Sequence, residues 1–443
     1  VTPSRSAHPR SSSATGWRAV VRPADPLARA LTSATATSSF ANGVFYAVSA
    51  LFFTRVAGLS ATTVGLGLSV AGAVGVAGAL LAGWVCDAVG AHRVLLAATA
   101  VQGGALLVYV LVRDPLAFTV VACAAVGGRA VQGTARSAVL ATAFPGPDRV
   151  AVRARLRVVT NVGIGLGTCA AAAALLVGSA SAYAVALVAT GLLALSACVP
   201  LVRLARTLPG TPGTGAPAGR PVPAPRDGGP GGGRSPLRDR RYLAVTALNA
   251  VVGLHFGVQT VGVPLWIAGH TDAPPVTVSI LMVLNTVLVA TLQVRASRGT
   301  HEAGRAARAV ATAGALLVLA CALYATAAAG GPLAAAAVLV LAAGVHALAE
   351  VRAEAGAWGL AFELADPRRA GAYQGVSQTG IAASSMVAPV VVTTVIAHGT
   401  PGWLTLGAVF ALAGALTVVV VRVAVRSPRP TPLDAVPLAP AAR

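Results

Sequence analysis

Three titratable residues recur on a four-residue spacing inside one long apolar stretch: His346, Glu350 and Glu354. On a helix this spacing sets them roughly along one face. A histidine and a carboxylate in low-dielectric surroundings bind and release protons near neutral pH. Proton transfer centred on Glu350, with His346 beside it, is therefore one chemistry to expect. The same acids can instead mark the interfacial end of their helix and reach for water. The spacing leaves both readings open for Glu350 and Glu354. A second, basic group is Arg129, Gln132 and Arg136, in the apolar run 116–143. Arg129 lies about 20 Å along that run at helical rise, where inserting an arginine costs about 2.5–3.5 kcal/mol. Such residues usually face a bundle interior or a wet cavity and mark a substrate or ion path. Arg129 is thus a candidate counter-charge for Glu350, or a contact for a substrate anion. Arg136 lies nearer the far interface, where it can snorkel.

Weaker candidates are Asn42 and Tyr46 in the first apolar span and Asn249, His255 and Gln259 in the seventh. Hydrogen bonds between helices explain buried amides about as well as substrate contacts do. Spans three, six, nine and twelve carry almost no strong polar groups. A period of three implies that one helix of each triplet lines a wet path and one faces lipid. Trp266, Trp358 and Trp403 read most simply as interfacial anchors.

The elements that must position these residues follow from composition. The chain has 443 residues, 56% hydrophobic and 10% charged, which is the profile of an all-α polytopic membrane protein. Its formal charge of +20 comes from 33 basic residues, all arginine. The arginines sit mostly between apolar spans, so topology explains them better than nucleic acid does. With no lysine, a P-loop ATPase and a Schiff-base chemistry are excluded. No metal motif is present, and His301-Glu302 lacks a second histidine at the right spacing. The five cysteines lie in or at the ends of apolar runs without a C-x-x-C, and read as packing residues. Neither a cofactor nor a metal is expected.

About twelve spans are predicted: 31–56, 62–85, 94–112, 116–143, 158–177, 183–202, 242–268, 276–294, 307–328, 333–353, 371–397 and 403–425. This gives a disordered tail (1–30), a six-helix half (31–203), a Pro/Gly/Arg-rich linker (204–241), a second six-helix half (242–426) and a tail (427–443). With both termini in the cytoplasm, 28 arginines fall in inside segments, Arg149, Arg153, Arg155 and Arg157 among them, and only Arg55 and Arg113 fall outside. That fits the positive-inside rule. The halves also look like parallel repeats. Asn161-Val162-Gly163-Ile164 is similar to Gln378-Thr379-Gly380-Ile381, an offset of 217 that carries Arg129 onto His346.

At this point the chain resembles the major facilitator superfamily. Gly83-Trp84-Val85-Cys86-Asp87-Ala88-Val89-Gly90-Ala91-His92-Arg93 is similar to that family's loop motif G-x-x-x-D-R-x-G-R-R, between spans two and three. Gly83, Asp87, Gly90 and Arg93 fit, while Ala88 and Ala91 stand where basic residues are expected. Arg129-Ala130-Val131-Gln132-Gly133 resembles the family's span-four motif R-x-x-x-G. The Gly-Pro antiporter motif of span five is absent: Gly163, Gly165 and Gly167 are there without a proline. The resemblance covers about residues 31–426. It implies a gate at Gly83, Asp87, Gly90 and Arg93, and an Arg129 that faces a central cavity. It also implies a secondary transporter, not an enzyme, working by alternating access; buried titratable groups and the lack of a nucleotide site add proton coupling, and a small organic molecule, with export favoured, is the reading adopted. The expected partners are substrate, protons and the lipid bilayer. The expected setting is a monomer, multi-pass in the plasma membrane. A transport-inactive sensor or scaffold on the same fold is the alternative; an intramembrane enzyme has no constellation to support it, and a channel fits parallel halves less well.

Overall fold

Asp25, Ser60, Asp114, Ser179 and Asp239 each accept a backbone N–H from the first turn of the helix that follows. These caps satisfy donors that a helix start otherwise leaves bare. Pro26 and Pro115 at first-turn positions cost no hydrogen bond there. The computed structural model describes residues 25–144, 146–205 and 234–426. Twelve helices within them are long and apolar enough to cross a bilayer. They are α1 Pro26–Val56, α2 Thr62–Val89, α3 Ala91–Leu111, α4 Pro115–Ala143, α5 Asp148–Val177, α6 Ala180–Arg203, α7 Arg240–His270, α8 Val276–Ala296, α9 Ala303–Ala329, α10 Pro332–Glu363, α11 Pro367–Ala397 and α12 Gly399–Arg426. The expected tails and linker lie largely outside the described residues.

Several helix bounds differ from the sequence expectation by a few residues, and two differ by ten and matter. The fifth span starts at about 148, not 158, so Arg149, Arg153, Arg155 and Arg157 are helical rather than part of a loop. The tenth runs to Glu363, not 353, so neither Glu350 nor Glu354 marks its end. Hydropathy dips at both places because the extra turns are charged. Arg149 and Arg157 pair with Glu363 and Glu350 on the other half, which a window of sequence does not see.

The two halves are built by the same pairings. Helix α1 packs on α5 and α6, α2 on α4, and α3 on α4 and α6; α7 packs on α11 and α12, α8 on α10, and α9 on α10 and α12. Pro115 and Pro332, which open α4 and α10, are 217 residues apart. Gly163 meets α1 at Ser39, and Gly380 meets α7 at Thr246. Helices α1 and α7 each contain a π-helical turn, at Phe52–Val56 and Val258–Gly262, a feature often found near functional sites. Between the halves, α2 packs on α11 and α5 on α8, with α4 also touching α11. Two apolar clusters join the halves: Val139, Leu140, Val150 and Leu156 bury together with Trp358 and Phe362 of α10, and Leu80 of α2 packs on Tyr373 and Val376 of α11. Both lie at the arginine-rich end, where the described chain starts and finishes. The two remaining clusters each stay within one half.

Candidate functional site: a cavity between the two halves

Gly90 turns the chain from α2 into α3 at φ +98°, a conformation that side chains disfavour. One turn earlier, Asp87 reaches across to α11. Its Oδ1 accepts the Gly371 N–H at 2.7 Å and its Oδ2 the Ala372 N–H at 2.9 Å. The carboxylate thus caps the N-terminus of α11, where a helix favours negative charge, and Arg369 attracts it as well. The backbones nearly touch: a Cβ on Gly83 would lie 2.5 Å from the Gly371 carbonyl oxygen. Gly83 and Asp87 therefore lie at the contact of α2 with α11, and Gly90 at the turn that follows them. Arg93 is exposed, and among the described residues no carboxylate is within ion-pair distance of it.

A second set of contacts runs between α5 and α10. Arg157 donates to Glu350 Oε1 at 2.7 Å, and Arg149 pairs with Glu363. Arg153 lies over the Trp358 ring at 5.4 Å and donates to Ser137. Arg149 lies over Phe362, and Arg157 over Phe256 of α7, at 5.6 and 5.0 Å. The basic residues repeat every four positions on α5, matching the spacing of Glu350 and Glu354 on α10. Glu350 is almost wholly buried. A buried pair of this kind stabilises little in net terms, because desolvation offsets the attraction, but losing one partner costs about 3–5 kcal/mol. Its geometry sets the register of one half on the other. Among the described residues, every hydrogen bond between the halves joins residues on the arginine-rich side: Asp87 to α11, Arg149 to Glu363, Arg157 to Glu350 and Gln378 to Ser137.

From mid-depth toward the opposite end, a cavity of about 700 Å3 separates the halves. It is lined by α2, α4 and α5 of the first half and α7, α10 and α11 of the second. No lining residue comes from α3, α6, α9 or α12, but α1 supplies none either, and α2, α5 and α11 line the space beside α4, α7 and α10, so the wet path is not one helix of each triplet. Arg129 faces this space and donates to the Tyr46 hydroxyl at 2.9 Å. Arg136 lines it too, rather than snorkelling to an interface. Glu354 stands at its floor, hydrogen-bonded to the Trp358 indole and attracted by Arg157 and Arg153.

The remaining candidates divide. Gln132 donates to Thr99 at 2.9 Å, and Gln102 donates to Asn42 at 3.2 Å. Both bonds tie neighbours to α3; neither residue lines the large cavity, and Gln132 lines a small pocket with Arg136, Ser38 and Thr99. Asn249 lines a side pocket between α7, α10 and α11. His255 and His346 are buried in a chain of hydrogen bonds: Tyr324 hydroxyl to His346 Nδ1 at 3.2 Å, His346 Nε2 to His255 Nδ1 at 3.3 Å. Gln259 joins Tyr324 and His346 around a small pocket between α7, α8, α9 and α10. Arg129 and His346 share a depth but not a space. Arg129 is also not the partner of Glu350; Arg157 is. The three tryptophans are buried rather than interfacial: Trp266 donates to the Tyr324 carbonyl, Trp403 packs against it, and Trp358 lies under Arg153.

Comparison with known proteins places this architecture. No functionally curated protein matches the sequence. Among solved structures, the human organic anion transporter MFSD10 (TETRAN) is similar at a TM-score of 0.64 and 15% identity, covering 89% of this chain and 100% of that one. A bacterial homologue of the iron transporter ferroportin in its outward-facing state gives 0.67 at 14% identity, over 89% and 98%. The E. coli fucose:proton symporter FucP gives 0.63 at 14%, over 90% and 98%. At such identities these likenesses speak for the fold alone. The family model of the Major Facilitator Superfamily matches residues 31–389. With twelve apolar helices in two like halves around a cavity, this multi-pass integral membrane protein belongs to the major facilitator superfamily and has the fold of its transporters.

Proposed function

We propose that the chain is a secondary active transporter that moves a small organic molecule by alternating access and couples this movement to protons. The observation that carries the reading is the one-sided closure. Two like halves are locked at the arginine-rich end by Asp87 on α11 and by Arg157 on Glu350, while the cavity opens away from that end. Rocking the halves about such a site would break these contacts and expose the same cavity to the other side. The arginine-rich end is the cytoplasmic end in this reading, with both termini inside and the protein a monomer in the plasma membrane.

Glu350 is the proposed proton site. Its Oε1 takes the Arg157 bond, and its buried Oε2 has no partner among the described residues. A proton on Oε2 would turn that atom into a donor and weaken the hold on Arg157. Around Glu350 the ionisable groups are Arg157 from α5 and His346 and Glu354 on its own helix, with His255 of α7 near Arg157. The Tyr324–His346–His255 chain gives a proton a route toward this region from the small pocket on the open side. Export is the direction that the sequence favours; it requires a substrate that competes with the proton for the site.

The test uses inside-out membrane vesicles energised to a proton gradient, with organic anions, cations and neutral amphiphiles added in turn. Wild type is expected to move protons in response to one class of compound, with the response lost in Arg129→Ala and Glu350→Gln. A response of equal size in Glu350→Gln would overturn the assignment of the proton site.

A further inference from the structure

Five ionisable side chains line the cavity: Arg129, Arg136, Arg153, Arg157 and Glu354. Glu350 adds a second carboxylate behind Arg157. Arg153 and Arg157 face these two acids. Among the described residues, no carboxylate is within ion-pair distance of Arg129 or Arg136. Two guanidinium charges are therefore left over inside a site with low-dielectric walls. They are two turns apart on α4, about 10 Å along its axis. A cleft with an excess of one sign concentrates ligands of the other, and guanidinium groups grip carboxylates and phosphates through paired N–H donors. Phe256, Trp358, Ile381 and Met386 supply an apolar wall to the same cavity.

We propose that this cavity, taken as the transport site argued above, binds a small organic anion. Its acidic groups sit on Arg129 and Arg136, and its apolar body lies against Phe256 and Trp358.

The sign of the ligand also sets the direction of coupling. Glu354 is surrounded by Arg153 and Arg157 from α5 and by Glu350 and Trp358 on α10, with Arg136 of α4 acting on Arg153. From α11 and α7 the cavity receives only uncharged side chains, such as Gln378 and Phe256. A proton on Glu354 or Glu350 removes a negative charge from the anion's surroundings. Proton and anion then strengthen each other's binding, and the effect is reciprocal. Ligands that favour one another travel together, so an inward proton gradient draws the anion in. This is uptake, opposite to the export that sequence analysis favours, which would need a substrate that competes with the proton.

The experiment compares two dyes with one ring frame and opposite charge: fluorescein in its dianionic form and rhodamine 110, a cation. Binding to the purified full-length protein in detergent is read by fluorescence polarisation. Wild type is expected to bind fluorescein at least about tenfold more tightly than rhodamine 110. Arg129→Ala and Arg136→Gln are each expected to weaken fluorescein about tenfold or more, the loss of one charge-assisted contact. Arg129→Lys, which keeps a cation, should recover part of it, and the exposed Arg308→Ala should change nothing. A preference for rhodamine 110, no fluorescein binding at millimolar dye, or binding that ignores both arginines in monodisperse protein would overturn the proposal. The same dye is then offered to proteoliposomes under an inward proton gradient. Binding as described, without proton-dependent accumulation, would leave the anion site standing and refute the transport reading on which the coupling rests.

Discussion

Replacing Asp87 by asparagine should unlock the arginine-rich end. The aspartate holds two backbone N–H groups of α11, at 2.7 and 2.9 Å, and these bonds join the two halves. Hydrogen bonds to a charged group contribute about 1.5–3 kcal/mol each. Asparagine keeps one acceptor, now neutral, and turns an NH2 donor toward the other N–H. It also gives up the charge at a helix N-terminus, about 0.3–1 kcal/mol. Together the closed state should lose about 2–4 kcal/mol, which is about a 30- to 1,000-fold shift toward opening. Hydrogen–deuterium exchange of the full-length protein reads this directly, because the amides of Gly371 and Ala372 are the donors. Exchange in the segment 370–376 should quicken by that factor, while the segment 310–320 in the core of α9 should not change. Unchanged exchange at 370–376 would refute the view that Asp87 holds the gate.

Three further outcomes follow from the same contacts. Gly83→Ala places a methyl 2.5 Å from the Gly371 carbonyl oxygen, so it should disfavour closure by about 1–3 kcal/mol and raise the same exchange rates; closure as tight as wild type would contradict it. Glu350→Gln should keep a hydrogen bond to Arg157 but lose the proton site, so substrate exchange should persist while proton-driven accumulation disappears, measured in proteoliposomes with and without a pH gradient. His346→Phe should leave the Tyr324 hydroxyl and His255 Nδ1 without their present partner, which costs about 1–3 kcal/mol for a stranded buried group. A lower Tm and slower proton entry are expected, and an unchanged Tm would show that the chain of bonds is not formed.

The twelve spans, the loop motif and the special position of Arg129 were legible in the sequence because each is a local signal. Hydropathy marks a span, a glycine and an aspartate at fixed spacing mark the gate, and an arginine deep in an apolar run stands out. The partner of Glu350 was not legible. Arg149, Arg153 and Arg157 read as loop charges because hydropathy falls across them. Their four-residue spacing, matched to Glu350 and Glu354, was the one signal that could have found them. Pairing that signal across nearly two hundred residues requires knowing that α5 and α10 meet. Gln132 and Asn42 show the opposite case: their type and depth drew attention, yet neither lines the large cavity and each is hydrogen-bonded to a neighbour on α3.

Alternating access itself is tested most directly by two distances taken together. One pair of spin labels, at Val89 and Arg368, spans the arginine-rich end; the other, at Arg55 and Asp272, spans the opposite end. All four positions are exposed, and the native cysteines are first replaced. In Asp87→Asn, which destabilises the lock, the first distance should lengthen and the second shorten in the same population of molecules. Two distances that stay fixed, or that lengthen together, would contradict a pair of halves rocking about one central site.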